Sequence, residues 1–280
     1  MSHLFRTGTS VFKVSDNIFK VNDNLNVITT SKGGFGAIEI LRCDPIIANN
    51  RFAITSGSTV KIIALDSLNI IRTISLSSSV TGVAWDNINN RLFAIAGGAL
   101  VSINTTTWII TNTGLSGGLN ALVVDPNPSN NRLLITKSTS LNFVDSSSFT
   151  IISTMSSGFD GAYGLAFDPE NDNRVYIGNY GSDYITIVDT DNYIITQSMP
   201  GFNRPIDLSF IPNVTNQFLV SEYAGNSVAY VNKGTGGIVK RLSGFSSPEG
   251  ISCDPNSINN RFFLGSTNTG IYYIVTEVLT

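Results

Sequence analysis

The feature that most constrains the fold of this chain is a unit of about 40 residues that recurs from end to end. The clearest copy, residues 163–197, reads YGLAFDPENDNRVYIGNYGSDYITIVDTDNYIITQ. It contains four short runs rich in β-branched and aromatic side chains, separated by turns of Gly, Asn and Asp. Such runs predict a four-stranded antiparallel meander. A meander that repeats at this period is the signature of a β-propeller blade.

The copies align on an acidic residue that closes the first run and on an arginine that follows it after a polar turn. The first marker is Asp44, Asp86, Asp125, Asp168, Ile211 and Asp254; the second is Arg51, Arg91, Arg132, Arg174, Gln217 and Arg261. The fifth copy has lost both markers together. This joint loss predicts an Asp–Arg ion pair across the turn, because an unpaired half-buried charge is costly. A contact repeated in five copies indicates a structural role and not catalysis.

The repeats predict an all-β, six-bladed β-propeller that forms a single domain over residues 1–280. The blades are expected at 37–79, 80–118, 119–161, 162–204, 205–247 and 248–280. Seven blades is the alternative, because the N-terminus holds more than one strand run. The last unit has three strand runs, so we expect residues 27–30 to supply its outer strand and close the ring.

The N-terminal segment has more strand runs than ring closure needs. Residues 18–35 match 185–202 without a gap, which predicts third and fourth strands, and residues 10–15 predict a further strand. We expect residues 1–25 to form an extra strand on a blade edge or an interaction arm that reaches a neighbouring subunit.

The segment RVYIGNYGSDYITIVDTDNYIITQ, residues 174–197, resembles a YVTN-type repeat of the NHL-like, non-WD propellers. The resemblance covers nearly the whole chain and implies the architecture. It leaves the function open, because propellers serve as binding modules, scaffolds, lyases and lactonases.

Composition narrows the partners. Charged residues are only 13% of the chain, the net charge is −3, and no Lys/Arg cluster occurs, so nucleic acid is not an expected partner. No apolar run approaches the ~18–20 residues of a membrane span, and residues 1–14 lack an apolar signal core. We therefore expect no membrane insertion, and a location in the cytoplasm or in an assembled virion or surface complex.

Two further repeat positions predict packing. Cys43 and Cys253 precede the acidic marker, where other blades carry Trp85, Val124, Phe167 and Phe210; free core thiols are expected, and a disulfide is the alternative. Gly-Phe pairs recur in the crossover loops at Gly34-Phe35, Gly158-Phe159, Gly201-Phe202 and Gly244-Phe245. Repetition favours plugs between adjacent blades over an aromatic ring around a ligand mouth.

The candidate site lies where the first strands begin, because these strands line the channel of a propeller. The residues at this position are Glu39, Thr81, Asn120, Tyr163, Ile206 and Glu249, with Arg204 and Asp207 beside the fifth. They differ from blade to blade, as a binding site requires. Converging carboxylates could hold a divalent cation such as Ca²⁺ or a small polar ligand. The alternative is that they are solvated side chains at a channel mouth.

The spread of a Glu, an Asn and an Asp over separate inner strands is similar to the metal-ligand set of gluconolactonase-like six-bladed propellers. That resemblance assigns the metal ligands to Glu39, Asn120 and Asp207. The single histidine, His3, lies at the terminus, so histidine-dependent catalytic groups and metal sites are not expected.

The sequence therefore predicts a non-enzymatic structural or binding module with no catalytic residue and no cofactor, displayed on a virion or cell surface. A protein or glycan partner and assembly into a larger complex are expected. One alternative is a metal-dependent, lactonase-like hydrolase. Another is a small-molecule or glycan binder in which Tyr163 stacks and Arg204 donates hydrogen bonds.

Overall fold

The structure is a computed structural model that describes residues 10–14, 17–22 and 27–277. Its first three strands are β1 (Ser10–Val14), β2 (Asn17–Asn22) and β3 (Val27–Lys32). Six antiparallel sheets make up the described chain, five of four strands and one of six, and they are arranged as the six blades of a propeller. The six-blade prediction is confirmed, and the seven-blade alternative is wrong.

The blades follow one another along the chain, each running as a meander from its inner to its outer strand. Blades one to three consist of β4 (Leu41–Cys43), β5 (Arg51–Ser56), β6 (Thr59–Ala64) and β7 (Ile70–Ser75); β8 (Val80–Asp86), β9 (Arg91–Ala96), β10 (Ala99–Asn104) and β11 (Ile110–Ser116); and β12 (Leu122–Val124), β13 (Arg132–Lys137), β14 (Ser140–Asp145) and β15 (Ile151–Met155).

Blades four to six complete the ring. Their strands are β16 (Ala162–Asp168), β17 (Asn171–Asn179), β18 (Tyr184–Asp189) and β19 (Ile194–Pro200); β20 (Pro205–Phe210), β21 (Gln217–Glu222), β22 (Ser227–Asn232) and β23 (Ile238–Ser243); and β24 (Pro248–Cys253), β25 (Arg261–Ser266) and β26 (Tyr272–Glu277). The inner strands β4, β8, β12, β16, β20 and β24 contact one another in that order, and β24 contacts β4.

Burial within a blade decreases from the middle strands to the rim. In β9 every residue after Arg91 is buried, whereas β7 exposes all its residues but Ile74. A middle strand packs against a neighbouring blade on each face, so its sequence is an almost continuous apolar run instead of an alternating one. Hydrophobic clusters fill all six blade–blade interfaces.

The Gly-Phe pairs contribute to these interfaces. Phe35, Phe159, Phe202 and Phe245 are buried, each in a different interblade cluster. The glycine before each phenylalanine has a φ between 83° and 100°, a conformation that disfavours residues with a Cβ. The plug prediction is confirmed, and the aromatic-ring alternative is wrong.

Ring closure joins the two ends of the described chain in one sheet. β3 pairs antiparallel with β26, from Val27 opposite Glu277 to Lys32 opposite Tyr272. This confirms the predicted closure and extends it two residues beyond Thr30. β2 and β1 continue the sheet outward in the order β1-β2-β3-β26-β25-β24. Strands β1 and β2 thus add to a blade edge, and β26, not β2, is the third strand of the sixth blade. Residues 1–9, 15–16 and 23–26 lie outside the described residues, and the interaction arm stays a prediction.

The Asp–Arg ion pair forms in four blades. It joins Arg51 to Asp44 (2.8 Å), Arg91 to Asp86 (2.6 Å), Arg132 to Asp125, and Arg261 to Asp254 (2.7 Å). The carboxylate also holds its own turn: Asp44 accepts from the Ile46 N–H and from the Asn49 amide. The asparagine before the arginine lies in the left-handed region, with φ of 46° at Asn50, because this conformation is least costly for Gly, Asn and Asp.

The ion-pair prediction is wrong for the fourth blade. There β17 begins at Asn171, which pairs with Asp168, so the strand starts before Arg174 is reached. The Asp168 carboxylate instead binds the ammonium of Lys233, 3.1 Å away on the fifth blade. The fifth blade has Ile211 and Gln217 at the positions of the Asp–Arg pair. Its Lys233 binds Asp168 of the fourth blade in place of Arg174.

Cys43 and Cys253 are free thiols in the inner strands, as predicted. Cys253 is buried and Cys43 is half-buried by accessible surface. Burial raises the pKa of the Cys43 thiol, which keeps it protonated and unreactive.

Candidate functional site

The channel opens, at the start of the inner strands, into a cavity of about 310 Å³ that we call the mouth pocket. Its walls are Glu39, Tyr163, Tyr180, Ile206, Tyr223, Glu249 and Thr267. Four of these residues occupy the inner-strand position that the sequence selects. The structure therefore brings Glu39, Tyr163, Ile206 and Glu249 together, from blades one, four, five and six.

The other three residues come from a second repeat position, which the sequence reasoning missed. Tyr180, Tyr223 and Thr267 each lie six residues after the second marker, where the second strand turns into the third. Blades one to three carry Gly57, Gly97 and Ser138 at the same place. The larger side chains at this turn in blades four to six therefore extend the pocket wall on that side, whereas the Gly and Ser of blades one to three do not. The signal that could have found them is this change in side-chain size at a repeated turn.

The carboxyl group of Glu249 is the main electrostatic feature of the pocket. Only 9% of the residue is exposed. Burial raises the pKa of Glu249 to about 8; the nearby charges of Glu39 and Asp207 raise it further, and the Thr267 hydroxyl partly offsets the effect. At neutral pH this carboxyl therefore holds a proton when the pocket contains no cation.

Glu39 faces Glu249 across the pocket and is half-buried. Burial raises its pKa, and the Tyr163 hydroxyl, 3.5 Å from Oε2, lowers it. No ion pair among residues 27–277 involves either glutamate. The two carboxyls share one low-dielectric space without a cation of the described chain to balance them.

Tyrosines form the rest of the polar lining. Tyr163 extends from blade four toward Glu39 of blade one, and burial together with that carboxyl raises its pKa. The rings of Tyr180 and Tyr223 meet edge to face, with centroids 5.5 Å apart. Arg204 lies exposed at the rim, where its guanidinium is 5.1 Å from the Tyr180 ring centroid and donates to the Tyr180 hydroxyl at 3.2 Å.

Thr81, Asn120 and Asp207 do not line the mouth pocket. The Asn120 amide donates to the Ala162 carbonyl at 3.0 Å, which turns it toward the backbone of blade four. Asp207 is fully buried below the pocket and accepts the Ile251 N–H at 2.9 Å. Of the three predicted metal ligands, only Glu39 lines the mouth pocket.

Asp207 binds Arg42, and the sequence reasoning did not identify this contact. The two guanidinium nitrogens of Arg42 lie 2.6 and 2.8 Å from the two carboxylate oxygens. Arg42 Nη1 also donates to the carbonyls of Leu41 and Ile251. This arrangement spans blades one, five and six and fills the channel below the mouth pocket. Both residues are charged exceptions: the other blades carry small or apolar residues at the Arg42 and Asp207 positions.

The opposite end of the channel is a second cavity of about 530 Å³, lined by all six blades, that we call the apolar funnel. Trp85, Leu122 and Phe167 are among its walls. Its charged lining residues, Arg42, Asp86 and Asp125, are all held in ion pairs. The funnel offers apolar surface but no unbalanced charge.

Metal binding at the predicted ligands stays a prediction. No group of three or more His, Cys, Asp or Glu residues with metal-binding geometry occurs in the described part of the chain. A cation at Glu39, Asn120 and Asp207 would require Asp207 to exchange Arg42 for the metal.

Comparison with known proteins supports the fold. No protein-family model matches the sequence, and no curated protein matches it. Among solved structures, the chain is similar to the β-propeller domain of Cps50 (Swd1) from Myceliophteria thermophila, with a TM-score of 0.65 and 13% identity. The alignment covers 87% of this chain and 97% of that domain. At this identity the similarity shows a β-propeller and nothing about ligands, and the YVTN or NHL repeat type stays a prediction.

A membrane-spanning helix is not found in the chain from residue 27 to 277, nor in the two short strands before it.

Proposed function

We propose that this protein is a non-enzymatic binding module that receives a polar ligand, or a side chain of a partner, in the mouth pocket. The observation that carries the proposal is Glu249, a residue 9% exposed whose carboxyl shares an open cavity with that of Glu39, with no balancing cation from the described part of the chain. Burying an unpaired acid lowers stability. A site that tolerates this cost at one place, while every other buried acid of the described residues is in an ion pair, is typical of a ligand-binding function.

The rest of the fold supports the same proposal. The walls of the mouth pocket come from four blades and differ in each, whereas the packing positions repeat around the ring. Below the pocket, Arg42 and Asp207 provide a rigid floor. Convergent polar groups over a fixed scaffold are the usual form of a ligand site.

We further propose that the module acts at a virion or cell surface, as a YVTN- or NHL-like propeller within a larger complex. Its support is compositional: charged residues are 13% of the chain, so Ser, Thr, Asn and Gly must cover much of the surface. A protein or a glycan is the expected partner.

The binding proposal is tested by thermal-shift screening of a library of amines, sugars, amino acids and short peptides. Ligands that raise the melting temperature of the wild-type protein should lose that effect in Tyr223→Ala, in which a wall of the mouth pocket is removed. They should keep it in Ile88→Ala, a change on an exposed residue beside the apolar funnel. Hits that respond to Ile88→Ala and not to Tyr223→Ala would contradict the assignment of the site.

A glycan is a second candidate ligand, favoured by the exposed Arg204 guanidinium packed on Tyr180. An aromatic ring beside a fixed hydrogen-bond donor suits the apolar face and hydroxyls of a sugar. A glycan array with wild type and Arg204→Ala tests it, and equal binding by both proteins would contradict it.

A divalent cation, with lactonase-like hydrolysis, is the remaining candidate. Two carboxyls in one cavity are the feature that favours it, because hard cations take oxygen ligands. Calorimetric titration with Ca²⁺ tests it: heat that disappears in Glu39→Gln supports the site, and no heat in the wild type contradicts it.

A further inference from the structure

We propose that the mouth pocket binds an alkylammonium group. This inference rests on the proposed function and names the ligand chemistry of the same site. The shared chemistry is a primary ammonium on a short alkyl chain, as a free amine or as the end of a lysine side chain.

The charge of the pocket selects a cation. Glu249 is 9% exposed, and Glu39 is its charged neighbour on blade one. Asp207, the third acid near them, is already neutralised by Arg42, so it adds no unbalanced charge. The negative charge available to a ligand therefore resides on the two glutamates.

The lining also suits the ammonium group geometrically. A primary ammonium has three N–H donors, and the pocket offers the two carboxyls and the tyrosine hydroxyls as acceptors. The Tyr223 ring provides aromatic surface that attracts cations, and the Tyr180 ring beside it already has the Arg204 guanidinium 5.1 Å from its centroid. Ile206 supplies an apolar wall for the alkyl chain. A cavity of about 310 Å³ equals the liquid volume of roughly ten waters, enough for a butylammonium ion.

No cation of the described chain pairs with Glu249. Glu39, Asp207, Tyr163 and Thr267 surround its carboxyl group. The Arg42 guanidinium in the pocket floor is neutralised by Asp207, and Arg204 is exposed at the rim and screened by solvent. A ligand ammonium would therefore supply the cation that the two carboxyls lack.

The test is calorimetric titration of the whole protein with butylammonium chloride at pH 8.5, where the amine is still protonated. Saturable binding is the expected result. The isosteric neutral alcohol 1-butanol should bind at least tenfold more weakly.

Variants locate the effect. Glu249→Gln should lower the affinity at pH 8.5 at least tenfold, whereas Glu170→Gln, a change of an exposed glutamate on the opposite face, should leave the affinity unchanged. Tyr223→Phe should retain binding and Tyr223→Leu should weaken it several-fold, because only the first keeps the ring. If Glu249→Gln does not fold, Glu39→Gln provides the same comparison.

Each result decides the proposal. Absence of butylammonium binding at pH 8.5, or equal binding of 1-butanol, overturns it. If butylammonium does not bind but the library screen finds ligands that require Tyr223, the proposed binding function stands and only the alkylammonium proposal is wrong. If neither the screen nor the titration finds a ligand, both proposals are wrong. A peptide with an internal lysine that binds more than tenfold tighter than butylammonium assigns the source to a protein, and weaker binding assigns it to a free amine.

Discussion

The two ends of the inner strands follow opposite rules. At the end of these strands, the same carboxylate and the same guanidinium meet in blade after blade, as at Asp44 and Arg51. At their start, each of the four blades that line the mouth pocket contributes a different set of residues, and Glu249 has no cationic partner among the described residues. A contact that recurs in each repeat serves the fold that all repeats share. A group of residues that occurs once, and that is electrostatically unsatisfied, is available for a ligand.

Of the changes considered for the two ends of the inner strands, breaking the Arg42–Asp207 pair between them should destabilise the protein most. Asp207→Asn leaves the Arg42 guanidinium without its carboxylate in a buried place, so we expect the free energy of unfolding to fall by about 3–5 kcal/mol. Urea denaturation measures it. Exposed Asp172→Asn is the control and should change stability by less than ~0.5 kcal/mol. A loss below ~1 kcal/mol for Asp207→Asn would mean that the pair does not form.

The mouth pocket should make stability depend on pH in an unusual direction. The folded pKa of Glu249, about 8, lies above the value of an exposed glutamate, so the native state binds the proton more tightly. This stabilisation is complete below about pH 4 and is lost as the pH rises toward 8, by up to about 1.4 kcal/mol per pH unit. Unfolding curves at pH 5, 6, 7 and 8 should show the decline in the wild type and a flatter profile in Glu249→Gln. Identical pH profiles of stability for the wild type and Glu249→Gln would show that Glu249 is not the group responsible.

The repeated ion pair should give the smallest of the three effects. Asp254→Ile together with Arg261→Gln gives the sixth blade the residues that the fifth has at Ile211 and Gln217. We expect the double variant to be less destabilised than the sum of the two single variants, with a coupling energy of about 1–2 kcal/mol. A double-mutant cycle by thermal or urea unfolding measures it, and additive losses would show that the pair contributes no mutual stabilisation.

The sequence was sufficient for the fold because its information is local and repeated. Strand runs, Gly-Phe plugs and the Asp–Arg turns each lie within one blade or between neighbours, so six copies reveal the rule. The same approach failed at blade four, where Asp168 binds Lys233 of the next blade. A partner supplied once, from another repeat, leaves no periodic trace.

The candidate site was only half predictable for the same reason. The position of Glu39, Tyr163 and Glu249 follows from where a strand begins, but Tyr180 and Tyr223 reach the pocket from turns whose height depends on side-chain size. Arg42 and Asp207 meet across the channel although they are 165 residues apart in sequence. The sequence signal for this contact is that each is a charged residue, one positive and one negative, at a repeat position that is uncharged in the other blades. Whether Asp207 would point up into the mouth or sideways to Arg42 depends on packing that the repeat pattern does not encode.

The pairing of β3 with β26 affects how fast the protein folds and how readily its blades unfold. During synthesis β3 is made before blades one to five and before β24 and β25, so its hydrogen-bonding partner β26 exists only after all of these have been made. Bringing such distant segments together is slow, since loop closure costs entropy before the contact repays it. Once β3 and β26 have paired, the first and last blades cannot separate without breaking these hydrogen bonds. Amide hydrogens at Thr29 and Thr30 should therefore exchange with solvent as slowly as those in the middle of the other sheets.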